Sequence, residues 1–233
     1  MHVLITGGFR GIGLETALEL QRRLPTYLRL TITGRDSVTL ANAEQQLRAA
    51  GAEAVLATVS DVSDARAVEQ TVREATQAFG EVDVLINNAG FGRFGPVKTM
   101  SAETFDEVLA TDLRGPFLIT QAVIGSMVRR KHGVVITVSS VAGRQGYRNG
   151  GAYCAAKHGV SGLMRSLAAE VREHGVRVST IFPGNVETDF FRTAGFAQNP
   201  PKMLKARDVA QMIVQTIELP AGASVEEILI RPT

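Results

Sequence analysis

A tyrosine and a lysine stand four residues apart in "YCAAK", Tyr153 to Lys157. On a helix that spacing puts a phenol and an ammonium on one face. The face belongs to solvent or to an active site, and the pair alone does not decide. A second stretch carries sharper chemistry. "TGGFRGIG" spans 6–13 and holds Gly7, Arg10, Gly11, Ile12 and Gly13. Its GxxxGxG spacing follows a short apolar run and opens a helical pattern. Glycines there permit a tight turn and let a phosphate approach backbone N–H groups at a helix N-terminus. No Gly-Lys-Ser or Gly-Lys-Thr follows, which disfavours a P-loop nucleotidase.

"TITGRD" at 31–36 is the third such stretch. A dinucleotide fold places an acidic residue at this strand end to bind a free ribose 2′-hydroxyl. Here the tip reads Gly34, then Arg35. A guanidinium suits a 2′-phosphate through planar, charge-assisted bonds, and Arg10 adds a second cation. Both point to NADP(H). Asp36 stands one place later and would supply the carboxylate if the strand end were shifted by one.

These residues need elements to hold them. Six apolar, β-branched runs read as buried strands: 2–6, 29–34, 54–60, 82–88, 133–140 and 176–184, with 226–232 as a seventh. Helical periods fill 13–24, 38–51, 64–80, about 102–130, 151–175 and 206–218. Gly51, Gly80 and Gly175 suit helix ends; Ser63-Asp64 and Ser101 suit N-caps. Such alternation predicts an α/β fold: a single-domain, doubly wound parallel sheet of about seven strands over 1–233. The long irregular stretch 185–205 reads as a substrate loop.

Composition narrows the class. The 233 residues are 45% hydrophobic, with a formal net charge of +2. That gives nucleic-acid binding little footing, with "RRK" at 129–131 the densest basic cluster. One cysteine, Cys154, excludes an internal disulfide and a cysteine metal site. It fits a reducing cytoplasm, the expected location. No signal peptide or membrane span is expected, and no metal.

Taken in order, "TGGFRGIG", "DV" at 61–62, "NNAG" at 87–90, "SSVAG" at 139–143, "YCAAK" and "PGNVET" at 183–188 resemble the classical short-chain dehydrogenase/reductase family. The resemblance covers nearly the whole chain. It implies that Asp61 and Val62 contact adenine. Asn87, Asn88, Ala89 and Gly90 would line the fold beside the adenosine ribose and stabilise the sheet. Pro183, Gly184, Val186 and Thr188 would hold the nicotinamide end. It also implies a Ser–Tyr–Lys set reducing a small-molecule carbonyl. The family serine lies 13 before the tyrosine, which selects Ser140 over Ser139. Tyr153 would donate the proton. A free phenol has a pKa near ~10, so Lys157 would lower it by its charge and also bond the nicotinamide ribose. Ser140 would hold the substrate oxygen. The family's long helices imply a homodimer or homotetramer.

One position departs from the family. Where it carries asparagine within a pattern like NxxG, "TDLRGPF" places Asp112. Either the backbone does the work and the side chain is a near-isostere, or a carboxylate near Lys157 partly neutralises it and raises the tyrosine pKa. The first reading expects Asp112→Asn to keep activity. Pro116 nearby is expected to bend the helix. The four histidines do not cluster and read as surface or structural. Phe91, Arg93, Phe94, Gln145, Gly146, Tyr147, Arg148, Phe190, Phe191 and Phe196 are candidate substrate walls.

Within the family, "NNAGFGRFG", "YCAAK" and "VEEILIRPT" are similar to bacterial sepiapterin reductase-like enzymes. A 3-oxoacyl-thioester reductase, greeting an acidic carrier through Arg129, Arg130 and Lys131, is a second reading. A non-catalytic NADP-binding sensor is a third.

Overall fold

The computed structural model describes residues 1–195 and 202–233. Seven strands form one parallel sheet in the order β3-β2-β1-β4-β5-β6-β9. They are β1 (His2–Thr6), β2 (Arg29–Gly34), β3 (Ala54–Val59), β4 (Val84–Asn87), β5 (Gly133–Val138), β6 (Val176–Pro183) and β9 (Glu227–Ile230). Strand order reverses at β1, whose neighbours are β2 and β4. In such sheets the crevice beyond the strand C-termini at this reversal is the ligand site.

Side chains alternate across the sheet. Val3, Ile5, Ile32 and Val84 point to one face, packed by α1 (Gly11–Arg23), α2 (Ser37–Ala49) and α8 (Ala206–Glu218). Leu4, Leu85, Val135 and Val178 point to the other, packed by α3 (Ala65–Phe79), α5 (Gly115–Arg130) and α6 (Gly151–Val171). Both faces are covered, which is why the strands read as continuous apolar runs. Capping fixes where helices begin. Asp36, Asp64 and Ser101 accept backbone N–H groups at the starts of α2, α3 and α4 (Ala102–Leu109).

Two expectations change. The segment 102–130 is not one helix. After α4 the chain passes through a π turn, Ala110–Arg114, and then into α5. Pro116 lies in the first turn of α5, where a missing N–H costs least, so the irregularity precedes it. The stretch 185–205 holds local structure: β7 (Val186–Glu187) pairs in parallel with β8 (Leu204–Lys205), and α7 (Phe190–Thr193) lies between them. Phe196 and Pro200-Pro201 fall outside the described residues. No described helix is long and apolar enough to cross a membrane.

Candidate active site

The glycine loop turns between β1 and α1. Gly7 and Gly11 take left-handed φ values of 65° and 53°, which only glycine adopts cheaply. Gly13 serves packing instead: a Cβ there would lie 2.3 Å from the Gly7 carbonyl oxygen and 2.5 Å from Asn88 Nδ2. Asn88 uses that space. Its amide donates to Thr6 O at 3.1 Å and Gly7 O at 3.0 Å. Thr6 Oγ1 in turn accepts the N–H groups of Asn88 and Ala89. The β4 end and the glycine loop are thus locked together. Arg10, the N-cap of α1, makes no side-chain cap bond. The first-turn N–H groups of α1 are therefore open to an anion.

A cleft of about 940 Å³ runs along the strand C-termini. It is lined by Gly7, Arg10, Gly11, Ile12, Arg35, Asp61, Val62, Asn88, Ala89, Gly90, Asp112, Ser140, Tyr153, Lys157, Pro183, Gly184, Val186 and Thr188. Gly13 is outside this lining. So is Asn87, which is 2% exposed and donates to the hydroxyls of Thr120 on α5 and Thr137 on β5. The expectation that Asn87 lines the site is corrected: the strand's alternation turns it inward and leaves Asn88 to the cleft. Sequence reasoning also missed Phe9, Asn185, Asp189 and Arg231, all of which border it. Phe9 packs under the β2 tip, where a Cβ on Gly34 would stand 2.5 Å from its ring. An aromatic residue inside a glycine loop was the available signal.

At the β2 tip, Arg35 lies 3.8 Å from Asp61 and is largely exposed. Asp36 is committed elsewhere, since its Oδ1 accepts the Thr39 N–H at 2.8 Å. Arg10 reaches across to Asp189 at 3.7 Å.

At the other end, β5 delivers Ser139 and Ser140 side by side. The Ser139 hydroxyl is buried against Ser161 Oγ (3.0 Å) and Lys157 O (3.3 Å). The Ser140 hydroxyl accepts the Ala142 N–H and lies near enough to the Tyr153 phenol to bear on its ionisation. Of the two hydroxyls, it is the Ser140 one that faces the cleft. Tyr153 and Lys157 share the inner face of α6, at 7% and 5% exposure. Lys157 Nζ donates to Val138 O at 3.2 Å and pairs with Asp112 Oδ2 at 3.2 Å. It stands 5.6 Å from the Tyr153 ring centroid. His158 faces outward on Cys154 O.

The expected lowering of the Tyr153 pKa is not what the surroundings produce. Burial pushes the phenol above its ordinary value, the Asp112 charge adds to the rise, and the Ser140 hydroxyl opposes it. Burial likewise raises the Asp112 carboxyl, against the pull of the Lys157 ammonium and the Phe91 N–H. Those two groups are what an ionised buried carboxylate requires.

Aromatic rings surround the phenol. Phe94 and Phe190 lie 5.6 and 5.4 Å from the Tyr153 ring, and Tyr147 stacks on Phe94 at 6.1 Å. Phe91, Gln145 and Phe191 also line the cleft, whereas Arg93, Gly146 and Arg148 do not. The basic cluster at 129–131 is remote: Arg130 binds Asp83 and Val82 O before β4, at the opposite end of the sheet. No metal-ligating cluster occurs among the described residues.

The sequence pattern of the family described as short chain dehydrogenase matches residues 1–198. A sepiapterin reductase of Chlorobaculum tepidum is 33% identical, over 99% of this chain and 96% of its own length. A 3-oxoacyl-acyl-carrier-protein reductase of Synechocystis sp. is 37% identical, over 80% of this chain and 74% of its own. The structure of an alcohol dehydrogenase from the archaeon Thermococcus sibiricus, complexed with 5-hydroxy-NADP, matches with a TM-score of 0.90 at 28% identity, covering 100% of this chain and 96% of that one. Since the family pattern runs from the glycine loop past the Tyr–Lys helix, this chain belongs to the short-chain dehydrogenase family.

Proposed function

We propose that the chain is an NADP(H)-dependent oxidoreductase acting between a carbonyl and a secondary alcohol on a small, flat substrate such as a sepiapterin-like diketone. The observation that carries this reading is the buried Tyr153 phenol, sharing the cleft with Ser140 and walled by Phe94 and Phe190. Rings at these distances favour planar apolar groups.

The bound cofactor supplies or accepts the hydride. Gly7, Gly11 and the open first turn of α1 would hold its phosphates. Arg35 and Arg10 supply cations for a 2′-phosphate. Asp36, the carboxylate that argued for NAD, is engaged through Oδ1 as the cap of α2. Asp61 and Val62 would border adenine, and Pro183, Gly184, Val186 and Thr188 the nicotinamide end. Ser140 orients the carbonyl oxygen and Tyr153 hands it a proton as negative charge develops. Lys157 stands behind the phenol, paired with Asp112.

The Synechocystis relative favours 3-oxoacyl-thioester reduction as a second reading. Arg129–Lys131 cannot greet an acidic carrier at the cleft mouth, because they lie at the far end of the sheet. We also propose a homodimer or homotetramer built on the α4–α5 face, where Phe105 and Phe117 are exposed.

The test is initial rates of NADPH and NADH oxidation at pH 7 with benzil, diacetyl, sepiapterin and an acetoacetyl thioester. NADPH turnover with benzil or sepiapterin preferred over diacetyl is expected. A preference for NADH would refute the roles of Arg10 and Arg35. A preference for the thioester would select the second reading.

A further inference from the structure

The π turn at Ala110–Arg114 aims Asp112 into the protein, where its carboxylate is fully buried. Oδ1 accepts the Phe91 N–H at 2.9 Å. Oδ2 accepts no well-aligned hydrogen bond from a described residue; its close partner is the Lys157 ammonium at 3.2 Å. The space exists because residue 90 is glycine: a Cβ there would stand 2.8 Å from Oδ2. Asparagine would keep the bond to Phe91 and the volume. What it cannot supply is the anionic acceptor facing Lys157, because its second polar atom is an NH2 donor.

That charge falls on the Lys157 ammonium, the cation behind the proton donor among the described residues. The groups facing the Tyr153 phenol are Lys157 and Cys154 from α6, Asp112 from the π turn, Ser140 from the β5 end and Tyr147 from the following loop. Phe94 and Phe190 contribute no charge. Lys157 is therefore the cation opposite the phenol, and Asp112 is bound to it. In a buried site an ion pair presents a much weaker field to a third group than a lone ammonium does.

We infer that Asp112 is a charge-tuning positioning residue that withholds the Lys157 charge from Tyr153, so that the phenol stays protonated, and able to serve as the acid in carbonyl reduction, well into alkaline solution. The inference rests on the proton-donor role of Tyr153 given above. Its direction agrees with the upward push that burial and Asp112 exert on the phenol.

The experiment compares pH profiles of wild type and Asp112→Asn for NADPH-dependent benzil reduction, from pH 5.5 to 10.5. In parallel, the Tyr153 phenolate is followed by ultraviolet difference absorbance, with Tyr153→Phe as the blank. The protein has only three tyrosines, which keeps that titration legible. We expect the alkaline break in kcat/KM, and the phenolate transition, to move down together by about one pH unit in Asp112→Asn. The ratio of rates at pH 10 and pH 7 then falls several-fold, a change that loose packing alone would not produce. An unchanged phenolate transition overturns the inference. If Asp112→Asn does not fold, Asp112→Ser removes the same charge. Wild type that reduces no carbonyl with NADPH would sink the proposed function instead, and the phenolate titration would still judge Asp112.

Discussion

At the scale of single residues, two positions show how little volume the site can spare. Tyr153→Phe keeps the ring among Phe94 and Phe190 and deletes the proton. Turnover should fall by about 10²–10⁴-fold, with NADPH affinity by fluorescence titration changed only a few-fold. Loss of binding together with turnover would mean that Tyr153 holds the cofactor rather than the proton. Gly13→Ala opposes two effects. Alanine favours the helix by about 1 kcal/mol, but its Cβ would overlap the Gly7 carbonyl and the Asn88 amide. Overpacking costs about 1–3 kcal/mol, so the clash wins. We expect a Tm fall of a few degrees and weaker NADPH binding, because Asn88 can no longer hold the glycine loop. Calorimetry and a binding titration would check both.

At the scale of elements, β1 is clipped at its lower end by His2, which is 1% exposed. Nδ1 bonds Gly80 O at 2.8 Å and Nε2 bonds Thr31 Oγ1 at 2.9 Å. With a carbonyl as partner, Nδ1 carries a proton. Burial lowers its pKa below 6.5, although the Gly80 bond and the Asp83 charge oppose this. The folded state thus refuses a proton that the unfolded chain accepts. The stability involved is present above pH 6.5 and is lost as pH falls from there toward the folded value. The slope cannot exceed about 1.4 kcal/mol per pH unit. Between pH 8 and 5.5, wild type should lose more stability in urea than His2→Gln. Parallel losses would assign the acid sensitivity to other groups.

At the scale of the whole molecule, α4 and α5 leave Phe105 and Phe117 exposed at 38% and 43%. Light scattering should give about twice or four times the 25.0 kDa chain mass. Phe117→Glu should shift the protein toward monomer without changing its circular dichroism. A wild-type monomer would remove the oligomer proposal. The same scale explains why the long helical stretch could not be read as it stands. Local periodicity over 102–130 is helical throughout, and the single inserted residue of the π turn leaves no compositional mark.

Much of the molecule was fixed by local chemistry and was therefore visible in the residues themselves. Strands buried on both faces must be apolar, so six of them could be bounded closely and their parallel sheet inferred. Glycine spacing and the Arg35 tip were legible because each needs particular residue types at a fixed interval, whereas the expected Ser–Tyr–Lys set came from the resemblance to the family. What stayed hidden depended on where side chains from distant segments converge. Asn87 and Asn88 are adjacent and identical, and only the sheet decided that one fills the interior while the other braces the glycine loop. Asp36 read as a possible ribose ligand, and only the fold showed that its Oδ1 caps α2. The chain showed an aspartate where its family carries asparagine. The fold alone brought that carboxylate within 3.2 Å of Lys157, because electrostatics depends on distance in space and on burial, and neither is written along the chain.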